Sequence, residues 1–366
     1  MARKKYYNLK SILSKNADYN IIIGERSNGK TYACLKYCIE QYLNKGHKFV
    51  YIRRWKEDII GKRGEMVFNA IVNNNEIKKM TGGEYTHAIL KAGKYYLAYY
   101  DIELNKWVTA NDYFCNLISL SDTEHDKSLS FAETKNIVFD EFLTRRFYLK
   151  DEFILFMNTL STIIRDRNDL KIFMLGNTVN KYSPYFAELG INIDKLKQGT
   201  IDLYQYGTSE LKLAIEYCDE GNKEAKESNK YFAFNNPRLQ MITNGVWELD
   251  IYPHLPAGYK IKEKNIMFIF YILFDGKTIQ GNVIQQDNNI FIFFHYKTTE
   301  IKNPDEHIIY SLENNVKINY RRNPINGSTR IESRINILFK MNKVFYQSNE
   351  VGEIVRNYLI QMTNTI

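Results

Sequence analysis

The chain has 366 residues, enough for one large or two ordinary domains, each with its own core. With 44% apolar and 25% charged residues the composition is globular; 50 basic against 42 acidic residues lean only weakly toward an anionic partner and exclude a histone-like tail. No apolar run reaches the ~18–20 residues of a membrane span, and no apolar core follows the basic opening MARKKYYNLK, so neither a membrane partner nor a signal peptide is expected.

From residue 18 to about 200, short apolar runs alternate with helical patterns. YNIIIG (19–24) ends in a glycine loop, and KTYACLKYCIEQYLNKG (30–46) has helical spacing and stops at Gly46. HKFVYIRRW (47–55) reads as a second strand, and residues 85–120 read as strands and hairpins with a Gly turn. TKNIVFDEF (134–142) is a third apolar run, EFILFMNTLSTIIRDR (152–167) a helix, and LKIFMLGNT (170–178) a fourth run. Short buried strands separated by helices predict a parallel sheet with crossover helices.

After about 217 the character changes. YCDEGNKEAKESNKYFAF (217–234) is polar and reads as a linker or small exposed helical element. Beyond it three strand-like runs between 265 and 299, joined by an Asp275-Gly276 turn and a DNN turn, predict a β-meander. The last stretch, 349–363, looks helical. The expected division is 1–217, a linker over 218–250, and a second domain over 251–366. Four scattered cysteines, Cys34, Cys38, Cys115 and Cys218, suit reduced packing residues in a cytoplasmic protein better than a disulfide framework or zinc site.

The chemistry starts at IIIGERSNGKT (21–31). Gly24, Gly29, Lys30 and Thr31 have the G-x-x-x-x-G-K-T spacing of a phosphate-binding loop. The glycines let backbone N–H groups close on phosphate oxygens, the lysine neutralises β/γ charge, and the hydroxyl ligates Mg²⁺. Asn28 is counted among the loop's binding residues, and the expected cofactors are ATP and Mg²⁺. NIVFDEF (136–142) carries Asp140 to the C-terminal end of a buried strand, where open α/β sheets bind ligands. Asp140 would join Thr31 in holding the metal, and Glu141 would polarise a water for attack on the γ-phosphate. Asn177, at the tip of LKIFMLGN, can bond the γ-phosphate or the water. This order favours a hydrolase over a static nucleotide binder. Two arginine clusters lie at sheet edges, Arg53 and Arg54 with Lys56, and Arg165 with Arg167; each is either a surface charge or a group offered to a neighbouring subunit.

On the motifs IIIGERSNGKTYA, FVYIRRWKED, NIVFDEF and TIIRDRN…LGN, in that order, the sequence resembles the DNA-packaging ATPases of small podophages of the phi twenty-nine type. The resemblance implies a P-loop ATPase with an additional catalytic glutamate, its parallel-sheet α/β domain carrying helices on both faces. It implies a C-terminal α+β domain resembling a ribonuclease-H-type nuclease stripped of its active site. It also implies a homomeric ring, a pentamer, that drives double-stranded DNA into a prohead in the host cytoplasm, docked on the portal; a bridging structural RNA occurs in some relatives. Arg165 falls where the family has a trans-acting arginine finger, Lys127 matches a second trans-acting basic residue, and Asn177 the strand tip that couples hydrolysis to motion.

The strand runs of the C-terminal domain carry no acid before Asp275, so no two-metal nuclease is expected there. Its best basic patch is Arg321, Arg322, Arg330 and Arg334. Lys62, Arg63, Lys91 and Lys94 are candidates for DNA phosphate contact in the 60–132 insert. Two other functions fit the same motifs: a ring helicase or nucleic-acid remodelling ATPase, and a nucleotide-binding docking protein with little turnover.

Overall fold

The structure is a computed structural model that describes residues 6–122, 131–219, 247, 250–324, 327 and 329–363. Contacts divide the chain into two units, Met1–Arg145 with Asp151–Trp247, and Arg146–Lys150 with Glu248–Ile366.

In the first unit a short helix α1 (Lys10–Leu13) precedes β1 (Tyr19–Gly24), α2 (Lys30–Lys45) and β2 (Lys48–Arg53). Three short helices follow, α3 (Gly61–Glu65), α4 (Asn69–Asn73) and α5 (Glu76–Met80). Then come β3 (His87–Lys91), β4 (Lys94–Asp101), β5 (Lys106–Ser119), β6 (Thr134–Asp140), α6 (Glu152–Ile164) and β7 (Lys171–Asn177). A helix α7 (Pro184–Glu188) and two strands, β8 (Ile201–Gln205) and β9 (Lys212–Tyr217), complete it.

Nine strands form one sheet in the order β3-β4-β5-β2-β6-β7-β1-β9-β8. The six from β5 to β9 in that order run parallel, and β3-β4 and β8 add antiparallel strands at the two ends. β1 is buried along its whole length, as expected of an apolar strand covered on both faces. Alternation on β6 makes the two layers explicit. Val138 joins Cys34, Leu35 and Cys38 of α2 in one core, while Phe139 packs on Phe156 of α6 and Tyr185 of α7. Helices thus cover both faces. α2 stops where Gly46 turns left-handed (φ 70°), with the Gly46 N–H donating to the Tyr42 carbonyl and the His47 N–H to the Gln41 carbonyl.

The parallel sheet, the Gly-turn hairpin and the crossover helices match the sequence reading. The short helices α3–α5 and the placement of β9 beside β1 were not legible there.

The second unit contains β10 (Ile266–Phe274), β11 (Lys277–Gln286), β12 (Asn289–Tyr296), β13 (Ile308–Ser311), β14 (Tyr320–Arg321), α8 (Arg330–Lys340), β15 (Val344–Tyr346) and α9 (Asn349–Thr363). β10, β11 and β12 are the expected meander, and β13 and then β14 add in parallel beside β10, giving β14-β13-β10-β11-β12-β15. A three-strand meander extended by parallel strands from its first member is the sheet of a ribonuclease-H-like α+β domain. Gly281 is required by close approach: a Cβ there would lie 2.5 Å from the Phe270 ring across the strand pair. α8 is started by a capping box between Thr329 and Glu332. Most of the expected linker, residues 220–246 and 248–249, lies outside the described residues.

Candidate active site

β7 lies between β1 and β6, with Gly24 opposite Asn177 and Asp140 opposite Leu175. The ends of three neighbouring parallel strands therefore bring the loop after β1, the carboxylates after β6 and the Asn tip of β7 to one edge.

The loop turns through Ser27 (φ 58°) and Gly29 (φ 95°), and the chain enters α2 at Lys30. Gly24 has no room for a side chain, since a Cβ there would stand 2.8 Å from Cys218 Cβ. The Lys30 amine folds back over the loop, donating to the Glu25 carbonyl at 2.7 Å, the Gly24 carbonyl at 3.3 Å and Asn28 Oδ1 at 3.2 Å. It also reaches Asn177 Oδ1 at 3.3 Å. Burial lowers its pKa from the ordinary lysine value, against the pull of Cys218, Asp140 and Glu25. The Thr31 hydroxyl faces both Asp140 oxygens, at 3.1 and 3.2 Å, and Tyr51 donates to Asp140 Oδ2 at 2.8 Å. A hydroxyl and a carboxylate meeting beside a lysine at a helix start fit a hard divalent cation carried on phosphate oxygens.

Glu141 is a non-glycine residue at φ 58°, a strained conformation that the surroundings must hold in place at about 1–3 kcal/mol. The holding group is Arg54. It is 5% exposed, donates to the Glu141 carbonyl at 3.2 Å and the Phe142 carbonyl at 2.6 Å, and pairs with Glu152 at 2.7 Å. Tyr185 donates to the other Glu152 oxygen at 2.8 Å. The Glu141 carboxylate itself is paired with Arg53 at 2.6 Å. Burial opposes the Arg53 charge, but Tyr51, Glu141 and Asp140 outweigh it and its pKa rises above the ordinary value.

Gly24, Asn28, Gly29, Lys30, Thr31, Asp140, Glu141 and Asn177 thus converge. Arg165 does not join them. It follows α6, and Arg167 two residues on donates to the Ala132 and Thr134 carbonyls, at the opposite end of β6 from Asp140. Seven strand residues separate these ends, roughly 20 Å. Lys127 lies outside the described residues.

The sequence reading left the Arg53-Arg54 pair open between surface charge and offered group. In the structure both make contacts within their own chain, Arg53 with Glu141 and Arg54 with the Glu141 and Phe142 carbonyls and Glu152. Lys56 pairs with Asp122 at 2.6 Å. Tyr51 was missed; the one signal was a polar end to an otherwise apolar strand, FVYIRR. In the second unit the expected basic patch is partly consumed, since Arg321 pairs with buried Glu332 at 2.9 Å and Arg322 donates to the Leu312 carbonyl.

Against known proteins, the Podovirus DNA encapsidation protein (Gp16) family matches residues 1–315. The chain belongs to that family. It is similar to the DNA packaging protein of Bacillus phage phi29, 26% identical over 226 residues that cover 61% of each chain. Over 270 residues it is 26% identical to the DNA packaging protein of Bacillus phage B103, covering 72% of this chain and 74% of that one. The match to the phi29 protein therefore spans less than two thirds of that relative's length. A solved structure of the bacteriophage Phi-29 viral genome packaging motor assembly shares the fold over 98% of this chain and 99% of that one, at TM-score 0.56 and 18% identity.

Proposed function

We propose that this chain is an ATP hydrolase that drives double-stranded DNA into a viral prohead. One observation carries the reading above all: Lys30 touches Asn177 while Thr31 meets Asp140, with Glu141 the next residue in the chain. Residues 1–217 are the ATPase domain in this reading, 218–250 a linker, and 251–366 a domain that docks on nucleic acid or the portal. β10, β11 and β12 carry no Asp or Glu, which supports a nuclease-like fold without nuclease activity.

Gly24, Asn28, Gly29 and Lys30 hold the ATP phosphates. Thr31 and Asp140 hold Mg²⁺, which when bound neutralises charge on the phosphate oxygens. Glu141 accepts the proton of the attacking water once Arg53 lets it go. Asn177, sharing Lys30, registers whether a γ-phosphate is present. Arg165 stands too far from its own phosphate loop to serve it, which supports a homomeric ring, a pentamer, in which it reaches the next subunit's site. Lys127 as a second trans-acting group rests on the resemblance alone. The duplex is gripped through phosphates without base readout. The partners are DNA, further copies of the chain, and a prohead with or without a structural RNA, in the host cytoplasm.

The test is ATP turnover of Glu141→Gln beside wild type. Binding should stay within a few-fold while turnover falls by roughly 10²–10⁴; unchanged turnover removes the catalytic assignment. Long duplex DNA with proheads should stimulate the wild type, whereas stimulation by single strands alone would favour the helicase reading.

A further inference from the structure

α6 ends in a turn that the phosphate chemistry of its own subunit does not use. Arg165 follows the helix at φ 50° and ψ −128°. Those are the dihedrals of the first central position of a type II′ turn, where glycine is the ordinary residue. The Arg167 N–H closes the turn on the Ile164 carbonyl at 3.2 Å. A side chain in that conformation is strained, and the strain persists only where the surroundings hold it. The chain nonetheless keeps an arginine there, exposed to solvent, where glycine would fit without strain.

The group that holds the turn is the half-buried Arg167. Its Nε donates to the Ile164 carbonyl at 3.2 Å and its Nη2 to the Ile163 carbonyl, both in the last turn of α6, where carbonyls lack partners within the helix. Its Nη1 donates to the Ala132 carbonyl at 2.8 Å and the Thr134 carbonyl at 2.7 Å, at the start of β6. One guanidinium thus fastens the end of α6 to the start of β6, and the turn carrying Arg165 leaves from that joint. The rigid fork of an arginine suits four carbonyls on two elements; a lysine ammonium has only three donors.

We infer that Arg167 is a positioning residue, whose clamp fixes the Arg165 guanidinium for the phosphates of a nucleotide bound to a second copy of the chain. The inference rests on the ring reading above and deepens it by naming what sets the reach of Arg165. A charge that must meet a transition state across a subunit boundary gains most from a fixed base, because its effect depends on placement.

The test measures ATP turnover of the full chain with duplex DNA and proheads. Arg167→Gln should lower turnover roughly 100-fold, the cost of misplacing a group by about 1 Å, and leave ATP affinity by calorimetry within twofold. Its own Glu141 is intact, whereas Glu141→Gln subunits keep a fixed arginine. Mixing the two should therefore give turnover roughly tenfold above the sum of the separate variants. Arg167→Lys, the milder change, should repeat the pattern at smaller size. Arg165→Ala mixed with Glu141→Gln is the control. If the control recovers and the Arg167→Gln mixture does not, the positioning role is overturned; wild-type turnover or lost ATP affinity in Arg167→Gln overturns it too. If the control itself fails to recover, Arg165 does not act across subunits, and the ring reading fails with the inference.

Discussion

Arg53 and Glu141 form a 2.6 Å ion pair across the ends of two neighbouring parallel strands, β2 and β6. A carboxylate so paired faces an arginine instead of a water. Arg53→Ala is therefore expected to raise ATP turnover in the absence of DNA several-fold and to flatten its stimulation by duplex. Steady-state phosphate release with and without DNA measures both; a variant with normal stimulation would show that the pair does not gate the base.

Arg54 and Glu152 predict a stability effect. Removing one partner of a buried pair leaves the other charge uncompensated, which costs about 3–5 kcal/mol. Arg54→Met should lower the unfolding free energy by an amount in that range, while Arg54→Met with Glu152→Leu should recover part of it. Urea titration of both variants distinguishes this from simple loss of packing, which would leave the double variant the worse of the two.

A third expectation concerns Gly24. Its missing side chain is a packing requirement, since any Cβ meets Cys218 Cβ at 2.8 Å. Gly24→Ala should destabilise by about 1–3 kcal/mol through overpacking, and Cys218→Gly in the same chain should relieve part of that loss. Additive effects in the double variant would place the strain elsewhere.

Glu216 supplies a pH dependence. Burial raises its carboxyl pKa above the ordinary value, partly offset by the Tyr7 hydrogen bond. The folded state then holds this proton more tightly than the unfolded one, so the favourable contribution is complete below the unfolded pKa and is lost as pH rises through the folded value. Wild type should lose stability over that rise, and Glu216→Gln, which stays neutral, should lack that part of the slope. Thermal unfolding across the acidic range reads the difference directly.

Much of this site was legible because its parts end apolar strands. Gly24, Asp140 and Asn177 each close a buried run, and a parallel sheet puts such ends on one edge. Arg54 was not legible, because its burial depends on a carboxylate 98 residues later in the chain, in a helix whose spacing says only that one face is apolar. Tyr51 and Arg53 face Asp140 and Glu141 through strand order, which local pattern does not contain. KLAIEY (212–217) was not read as a strand, although it pairs with β1 along nearly its whole length.

Cys218 stands against Gly24, and burial pushes its thiol up to about 12. A sulfur that is protonated and covered does not react with an alkylating reagent until the chain around it opens. The native sequence thus carries its own clock for the phosphate loop: the rate at which Cys218 is labelled counts openings there, and anything that clamps the loop shut slows it.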